Sequence, residues 1–266
     1  MEKIYNYHAH THRCGHASGT EREYIERAIS CGIKKMGFSD HIPFMHDDGV
    51  EQNFRVPVGK TKDYFDTLKA LREEYKDKIE IFIGFEMEYM PNYADKMIDF
   101  ALSSGAEYFI LGHHFLDTDR PDGKDGLTRV NLFEPFTDEK LLKRAIDQMI
   151  MAVKSGYISI IAHPDHVNFR GDEKVYEREY LRLARACNEE DVAVEINCLG
   201  IRDGRHYPNP KLWEIFGKTG VKVVYGFDAH DAISAYDGQS LEKVEEMIEK
   251  YNLNFISDPK LKLFNR

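Results

Sequence analysis

The sequence predicts an α/β fold in which seven parallel strands alternate with helices. That pattern fits a closed or nearly closed barrel, with an open doubly wound sheet as the alternative. Three observations carry the prediction. Seven short runs are rich in β-branched and aromatic residues. Stretches with helical periodicity separate them. Imidazoles and carboxylates collect at the C-terminal ends of the runs, where parallel α/β folds assemble their sites.

The elements follow in order. The strands are KIYNYHA, KKMGFSD, EIFIGFE, EYFILGH, YISIIAH, VAVEIN and VKVVYGFD. Each is short and apolar enough to be buried on both faces, as a parallel strand is. After the first strand, Thr20 and Glu23 form a capping box that opens a helix running to Cys31. After the second, Tyr64, Leu68, Leu71 and Tyr75 are spaced to share one helical face. Residues 138–154, 177–187 and 241–251 read as further helices. The polar stretches 45–60, 117–136 and 201–210 read as loops at one end of the barrel or sheet. No linker, internal repeat or low-complexity tract interrupts the chain, so residues 1–266 are expected to form one domain.

Composition narrows the function. Of 266 residues, 42% are hydrophobic and 31% charged, which suits a globular domain with a sizeable core. The net charge of −10 and the lack of a Lys/Arg-rich track argue against a phosphate-backbone partner, so no nucleic acid is expected. Cys14, Cys31, Cys187 and Cys198 form no CxxC pair and suggest no disulfide framework. The N-terminal residues do not resemble a signal peptide, and no apolar run is long enough to span a membrane. A reduced, cytoplasmic enzyme is the expectation.

The strand ends carry the chemistry. His8 and His10 end the first strand, Asp40 and His41 the second, Glu86 and Glu88 the third. His113 and His114 follow the fourth, His163 and Asp165 the fifth, Glu195 and Asn197 the sixth, and Asp228 and His230 the seventh. In an extended chain residues i and i+2 face the same way, so His8-x-His10, Glu86-x-Glu88 and Asp228-x-His230 each present two donors together. An exposed alternating pair on an edge strand would give one such spacing but not three. Asp40 serves equally as a helix cap, and Glu88 as an outer carboxylate. His113 and His114 point to opposite sides, leaving one as ligand and one as packing. Asp165 and His166 could position His163. His12, His46 and His206 read as loop histidines, with His206 also within reach of a substrate. Mixed histidine and carboxylate donors suit zinc, manganese or iron, and their number exceeds what one ion uses. Two or three divalent ions are therefore expected, an arrangement suited to clamping phosphoryl oxygens.

In order, YHAHTH, GFSDHIPF, GFEMEY, LGHHFL, IAHPDH and GFDAH resemble the motifs of the polymerase-and-histidinol-phosphatase (PHP) superfamily of metal-dependent phosphoesterases. HAHTHRCGHASGTEREYIERA followed by GFSDHIP is most similar to its histidinol-phosphatase branch. The resemblance spans nearly the whole chain. It implies a distorted (β/α)7 barrel with the metal site at the C-terminal ends of the strands. It also implies a ligand set: His8, His10, Glu86 and Asp228 for one ion; Glu86 with His114 and His163 for a second; His16, His41 and His230 for a third. The branch's GSVHF-like segment is replaced here by LGHHFL. The activity implied is hydrolysis of a small phosphorylated metabolite, L-histidinol phosphate in histidine biosynthesis. Asp40 and Asp165 are the expected proton-handling groups. Arg202 is the expected phosphate clamp, or else a loop salt bridge, and Arg55 and His206 are further substrate contacts. Asp48, Glu51 or Asp203 would receive the substrate's cation. A phosphoesterase acting on another small or nucleotide phosphate, and a non-catalytic metal-binding regulatory module, are the competing readings.

Overall fold

The computed structural model describes residues 4–44, 51–117 and 129–265, apart from the side chains of Asp117 and Arg129. His46 and Asp48 lie outside the described residues. In chain order the elements are β1 (Tyr5–Asn6), α1 (Glu21–Ser30), β2 (Lys35–Phe38), α2 (Thr61–Tyr75), β3 (Glu80–Met87), α3 (Ala94–Ser104), β4 (Tyr108–Leu111) and β5 (Phe115–Asp117). They continue as β6 (Arg129–Asn131), α4 (Glu139–Lys154), β7 (Ile158–Ile161), α5 (Glu173–Glu189), β8 (Ala193–Asn197), α6 (Cys198–Arg202), α7 (Pro210–Gly217), β9 (Lys222–Gly226), α8 (Gly238–Tyr251) and β10 (Asn254–Phe255).

The seven expected strands are β1, β2, β3, β4, β7, β8 and β9. With β10 they form one curled, all-parallel sheet in the order β1-β2-β3-β4-β7-β8-β9-β10. Sequential neighbours pair in parallel because each crossover helix carries the chain back to the starting end. Register levels the C-terminal ends of two neighbouring pairs, Met87 with Leu111 and Asn197 with Gly226, whereas β3 runs on past the Phe38–Ile83 pair that ends β2. Past the strands, His41 bridges to Glu86 and Ala9 to Ala229, so the segment after β1 meets the segment after β9. His10 N donates to Ala229 O at 2.8 Å, and Ala229 N to His8 O at 3.2 Å. This contact sets the His8/His10 pair beside Asp228 and His230.

The helices arise as their sequences dictate. Thr20 caps α1 through the reciprocal bonds of the capping box. Tyr64, Leu68, Leu71 and Tyr75 are the buried stripe of α2. Asp138 and Asp172 cap α4 and α5 by accepting backbone N–H bonds. The core between helices and sheet is built from residues such as Phe38, Ile83, Phe85, Phe109, Ile160, Val194 and Val223, all buried. Two expectations need correction. The stretch 117–136 is not all loop: β6 pairs antiparallel with β5, Leu116 opposite Val130. The stretch 201–210 begins within α6 and ends at the first residue of α7, where Asn209 supplies the cap and Pro210 the first turn. Among the described residues, no helix is long and apolar enough to cross a membrane.

Candidate metal centre

Glu86, the penultimate residue of β3, lies buried inside the strand-end cluster, and its two oxygens face different groups of imidazoles. Around Oε2 stand His41 Nδ1 at 3.1 Å, His10 Nε2 at 3.3 Å and His8 Nε2 at 3.6 Å. Around Oε1 stand His163 Nε2 at 3.0 Å and His114 Nε2 at 3.6 Å. Asp228 Oδ1 is 3.4 Å from both His8 Nε2 and His10 Nε2. Beyond this lies a further pair, His230 Nε2 and His16 Nε2, 3.0 Å apart. His10, His41 and His230 bring ligand atoms within 4.8 Å of one another, as do His8, His163 and Asp228, and His41, Glu86 and His114.

These spacings fit divalent ions. Two nitrogens at ~2.0 to 2.1 Å from one ion lie roughly 3 Å apart. His8 Nε2 and His10 Nε2 are 3.1 Å apart. Glu195 accepts from His8 Nδ1 at 2.9 Å, and because a carboxylate only accepts, that nitrogen holds the proton. An ion bound here would then meet the lone pair of His8 Nε2. Glu86 Oε2 is buried and receives no hydrogen bond, though three imidazoles surround it. The donor chemistry and geometry are those of a multi-metal site.

Local backbone and packing hold this arrangement. His163 and Asp228 adopt left-handed φ values of 30° and 48°. Such conformations cost a non-glycine residue about 1–3 kcal/mol and cluster at functional sites. Gly112 is required by close approach: a Cβ there would lie 1.9 Å from Glu86 Oε1. Asn197 Nδ2 donates to Glu195 Oε1 at 2.8 Å and to Asp228 Oδ2 at 3.0 Å, tying β8 to the segment after β9.

The electrostatics are those of opposed buried groups. Burial alone would lower His8, but Asp228, Glu195 and Glu86 outweigh it and hold it well above the usual histidine value. Burial would raise Glu86, but His41, His114 and His8 hold it well below the usual carboxylate value. Burial opposes ionisation of Cys14, yet hydrogen bonds from His10 and His16 bring its thiol down to about 5. Because metal ligands must shed protons, uptake of ions here would be favoured as pH rises.

The cluster opens into a cavity of about 730 Å³. Its wall includes His16, His41, Glu86, His114, His163, Asp228 and His230. Arg202, Asp203, Arg205, Tyr207 and Asp231 contribute a polar side, and Phe54, Phe115 and Phe133 an aromatic one. Arg202 Nη1 donates to Asp237 at 3.0 Å, which holds the guanidinium at the rim. His114 lines the cavity, whereas His113 is buried with neither ring nitrogen hydrogen-bonded. His12 is exposed and bonds Gly19 O at 3.1 Å.

Other expected site residues, Asp203 excepted, stand off the cavity or are engaged elsewhere. Asp40 accepts from Thr11 N at 2.8 Å and Thr11 Oγ1 at 2.9 Å, anchoring the loop after β1. Asp165 Oδ2 accepts from Asn209 N at 2.6 Å and Trp213 Nε1 at 3.1 Å. Arg55 is buried and pairs with Glu88. His206 Nε2 bonds His166 O at 3.0 Å, and its ring packs on Phe133. Glu51 accepts from Val58 N at 2.9 Å, and Asp203 pairs with Arg205. Sequence reasoning placed Glu195 at a strand end without assigning it. The period-two spacing with Asn197 was the available signal.

Comparison with known proteins places these motifs in a family. The PHP domain model matches residues 6–198. A probable histidinol-phosphatase of Deinococcus radiodurans is 25% identical over 239 residues, spanning 86% of this chain and 87% of the relative. A histidinol-phosphatase of Lactococcus lactis is 25% identical over 261 residues, spanning 94% and 91%. The crystal structure of a Lactococcus lactis histidinol phosphate phosphatase, complexed with zinc, L-histidinol and phosphate, shares the fold: its TM-score is 0.67 at 20% identity over 96% of this chain and 95% of that one.

Proposed function

Since the chain belongs to the PHP domain family, we propose that it is a metal-dependent phosphatase that hydrolyses L-histidinol phosphate to L-histidinol and phosphate. One observation carries the reading. Glu86 presents its two oxygens to separate imidazole groups at the base of a cavity whose rim holds Arg202. The full-length similarity to histidinol-phosphatases supports this substrate. The curled sheet, joined past β1 and β9 by the Ala9–Ala229 bridge, is read as the distorted seven-stranded barrel.

In this reading His8, His10, Glu86 and Asp228 hold one ion. Glu86, His114 and His163 hold a second, and His16, His41 and His230 a third. Zinc, manganese or iron there supplies Lewis acidity toward phosphoryl oxygens and acidifies water at neutral pH. The chain's own groups do the rest. Glu195 fixes the His8 tautomer, and Asn197 keeps Glu195 and Asp228 in register. Arg202 offers its guanidinium fork to the ester dianion, pre-oriented by Asp237. Asp231 lines the cavity with one oxygen engaged by Ser234 N, and it is the carboxylate we assign to the substrate's ammonium group. Asp203 is less suited because Arg205 holds it. Asp40 and Asp165, whose carboxylates are engaged in anchoring bonds, keep the loops of the site in place.

A second reading, a phosphatase for another small monoester, draws on Arg205. Its guanidinium lines the same cavity and would meet a further anionic group that displaced Asp203 from it. Steady-state phosphate release from a panel of L-histidinol phosphate, sugar phosphates and nucleoside monophosphates separates the readings. The highest kcat/KM is expected for L-histidinol phosphate. Turnover of other monoesters alone would select the second reading, and metal retention with no turnover would select a regulatory metal module.

A further inference from the structure

Arg55 and Glu88 form a buried ion pair, each side chain 2% exposed, immediately behind the metal centre. Glu88 Oε1 stands 3.1 Å from His114 Nδ1. A carboxylate accepts only, so Nδ1 of His114 carries a proton, and in the neutral ring the Nε2 lone pair lies on the side of Glu86 Oε1. Arg55 does not reach the cavity. Its Nη2 donates to Glu88 Oε2, its Nε to Gln52 Oε1 at 2.5 Å and its Nη1 to Ile42 O at 3.4 Å. The guanidinium also lies 4.9 Å from the centre of the Phe54 ring, which lines the cavity wall.

We propose that Arg55 and Glu88 are positioning residues that fix the tautomer and direction of His114, so that its Nε2 is presented to an ion shared with Glu86. A lone buried Glu88 would be costly, and the guanidinium compensates it. Arg55 in turn is locked by Gln52, Ile42 O and Phe54, so residues 52–55 are tied to one subsite. Outer partners of metal-bound histidines typically change metal affinity 10–100-fold when lost. The inference rests on the reading of His114 as a ligand.

The test uses the full chain, stripped by chelator and titrated with zinc, in wild type, Glu88→Gln, Arg55→Lys and the charge-free pair Arg55→Met/Glu88→Gln. One equivalent of zinc is expected to weaken about 10–100-fold in Glu88→Gln. Arg55→Lys, which keeps the charge and leaves Glu88 in place, is expected to weaken that zinc less than Glu88→Gln does. The remaining equivalents should bind as in wild type. In the zinc-loaded wild type, the ring ¹⁵N shifts of His114 should show a protonated Nδ1, and this signature should change in Glu88→Gln. The paired variant guards against misfolding from one uncompensated charge; if it folds, it should still bind that zinc weakly. Unchanged zinc affinity in the folded variants, or an Arg55 variant that raises KM alone with zinc binding intact, would overturn the proposal. A wild-type protein that takes up no zinc would instead overturn the metal reading beneath it.

Discussion

The four histidines crowded between positions 8 and 16 divide by their surroundings. His8 and His10 are buried against Glu86 and Asp228, His16 meets His230, and His12 faces solvent. His8→Ala or His10→Ala should lose bound metal and phosphatase activity together. His12→Ala should change either by less than about twofold, as surface substitutions usually do little; metal content and kcat of the purified variants check this. Gly112→Ala would drive a methyl group into Glu86 Oε1 and the His114 ring. Its metal affinity should fall at least as far as for loss of an outer partner, about 10–100-fold by zinc competition, while far-UV circular dichroism stays native.

Asp165 makes a pH prediction. Burial, aided by Glu195 and only partly offset by the bonds from Asn209 and Trp213, raises its carboxyl from the usual 3.8 to about 7. Between those values the native state holds a proton that the unfolded chain has released. Its stabilising contribution is therefore complete below about 3.8 and is lost as pH rises through about 7. In chelated protein, urea unfolding should show stability falling over that window, with a slope of up to about 1.4 kcal/mol per pH unit from this group. Asp165→Asn should remove that slope. Parallel profiles for the two proteins would show that Asp165 is ionised throughout.

At the level of elements, the parallel strands were legible because burial on both faces leaves short β-branched runs such as ISII and KVVYG. Their ends were legible because the i, i+2 spacing survives into the site at His8/His10 and Glu86/Glu88. What escaped had weaker local signals. Helix α3 buries Ala94, Met97, Ile98 and Ala101 at helical spacing, but its cap position, Tyr93, makes no side-chain cap. Strand β10 has two residues, and β5 and β6 three each, too short for an alternating pattern to stand out. The aromatic wall of Phe54, Phe115 and Phe133 comes from segments outside the predicted strands and helices, and only the tertiary fold brings it together. Helix starts were better marked. Thr20→Ala should cost α1 its reciprocal cap and lower unfolding free energy by about 1 kcal/mol, read from a denaturant midpoint. An unchanged midpoint would mean the helix start is held by packing alone.

Across the whole molecule, crossovers between adjacent parallel strands bring groups distant in sequence to one carboxylate. His8, His41, His114 and His163 follow four different strands and meet around Glu86. Sequence order could not reveal which imidazole faced which oxygen, since that depends on the sheet's curl and on register. His41 shows the consequence: expected with His16 and His230, it also reaches Glu86 Oε2, so the subsites abut. The net charge of −10 does not make the cavity uniformly acidic, because Arg202 and Arg205 stand at its rim.

Glu86 is the common member of this assembly, and the most direct test removes its charge while keeping its shape. Phosphate release from L-histidinol phosphate is measured as chelated wild type and Glu86→Gln are titrated with zinc or manganese. Wild type should be inactive when chelated and gain activity as more than one equivalent binds. Glu86→Gln should bind fewer equivalents and turn over more than about 100-fold more slowly, beyond the effect typical of an outer partner. Full activity in the chelated wild type, or undiminished metal binding and turnover in Glu86→Gln, would contradict a metal-dependent phosphatase centred on Glu86.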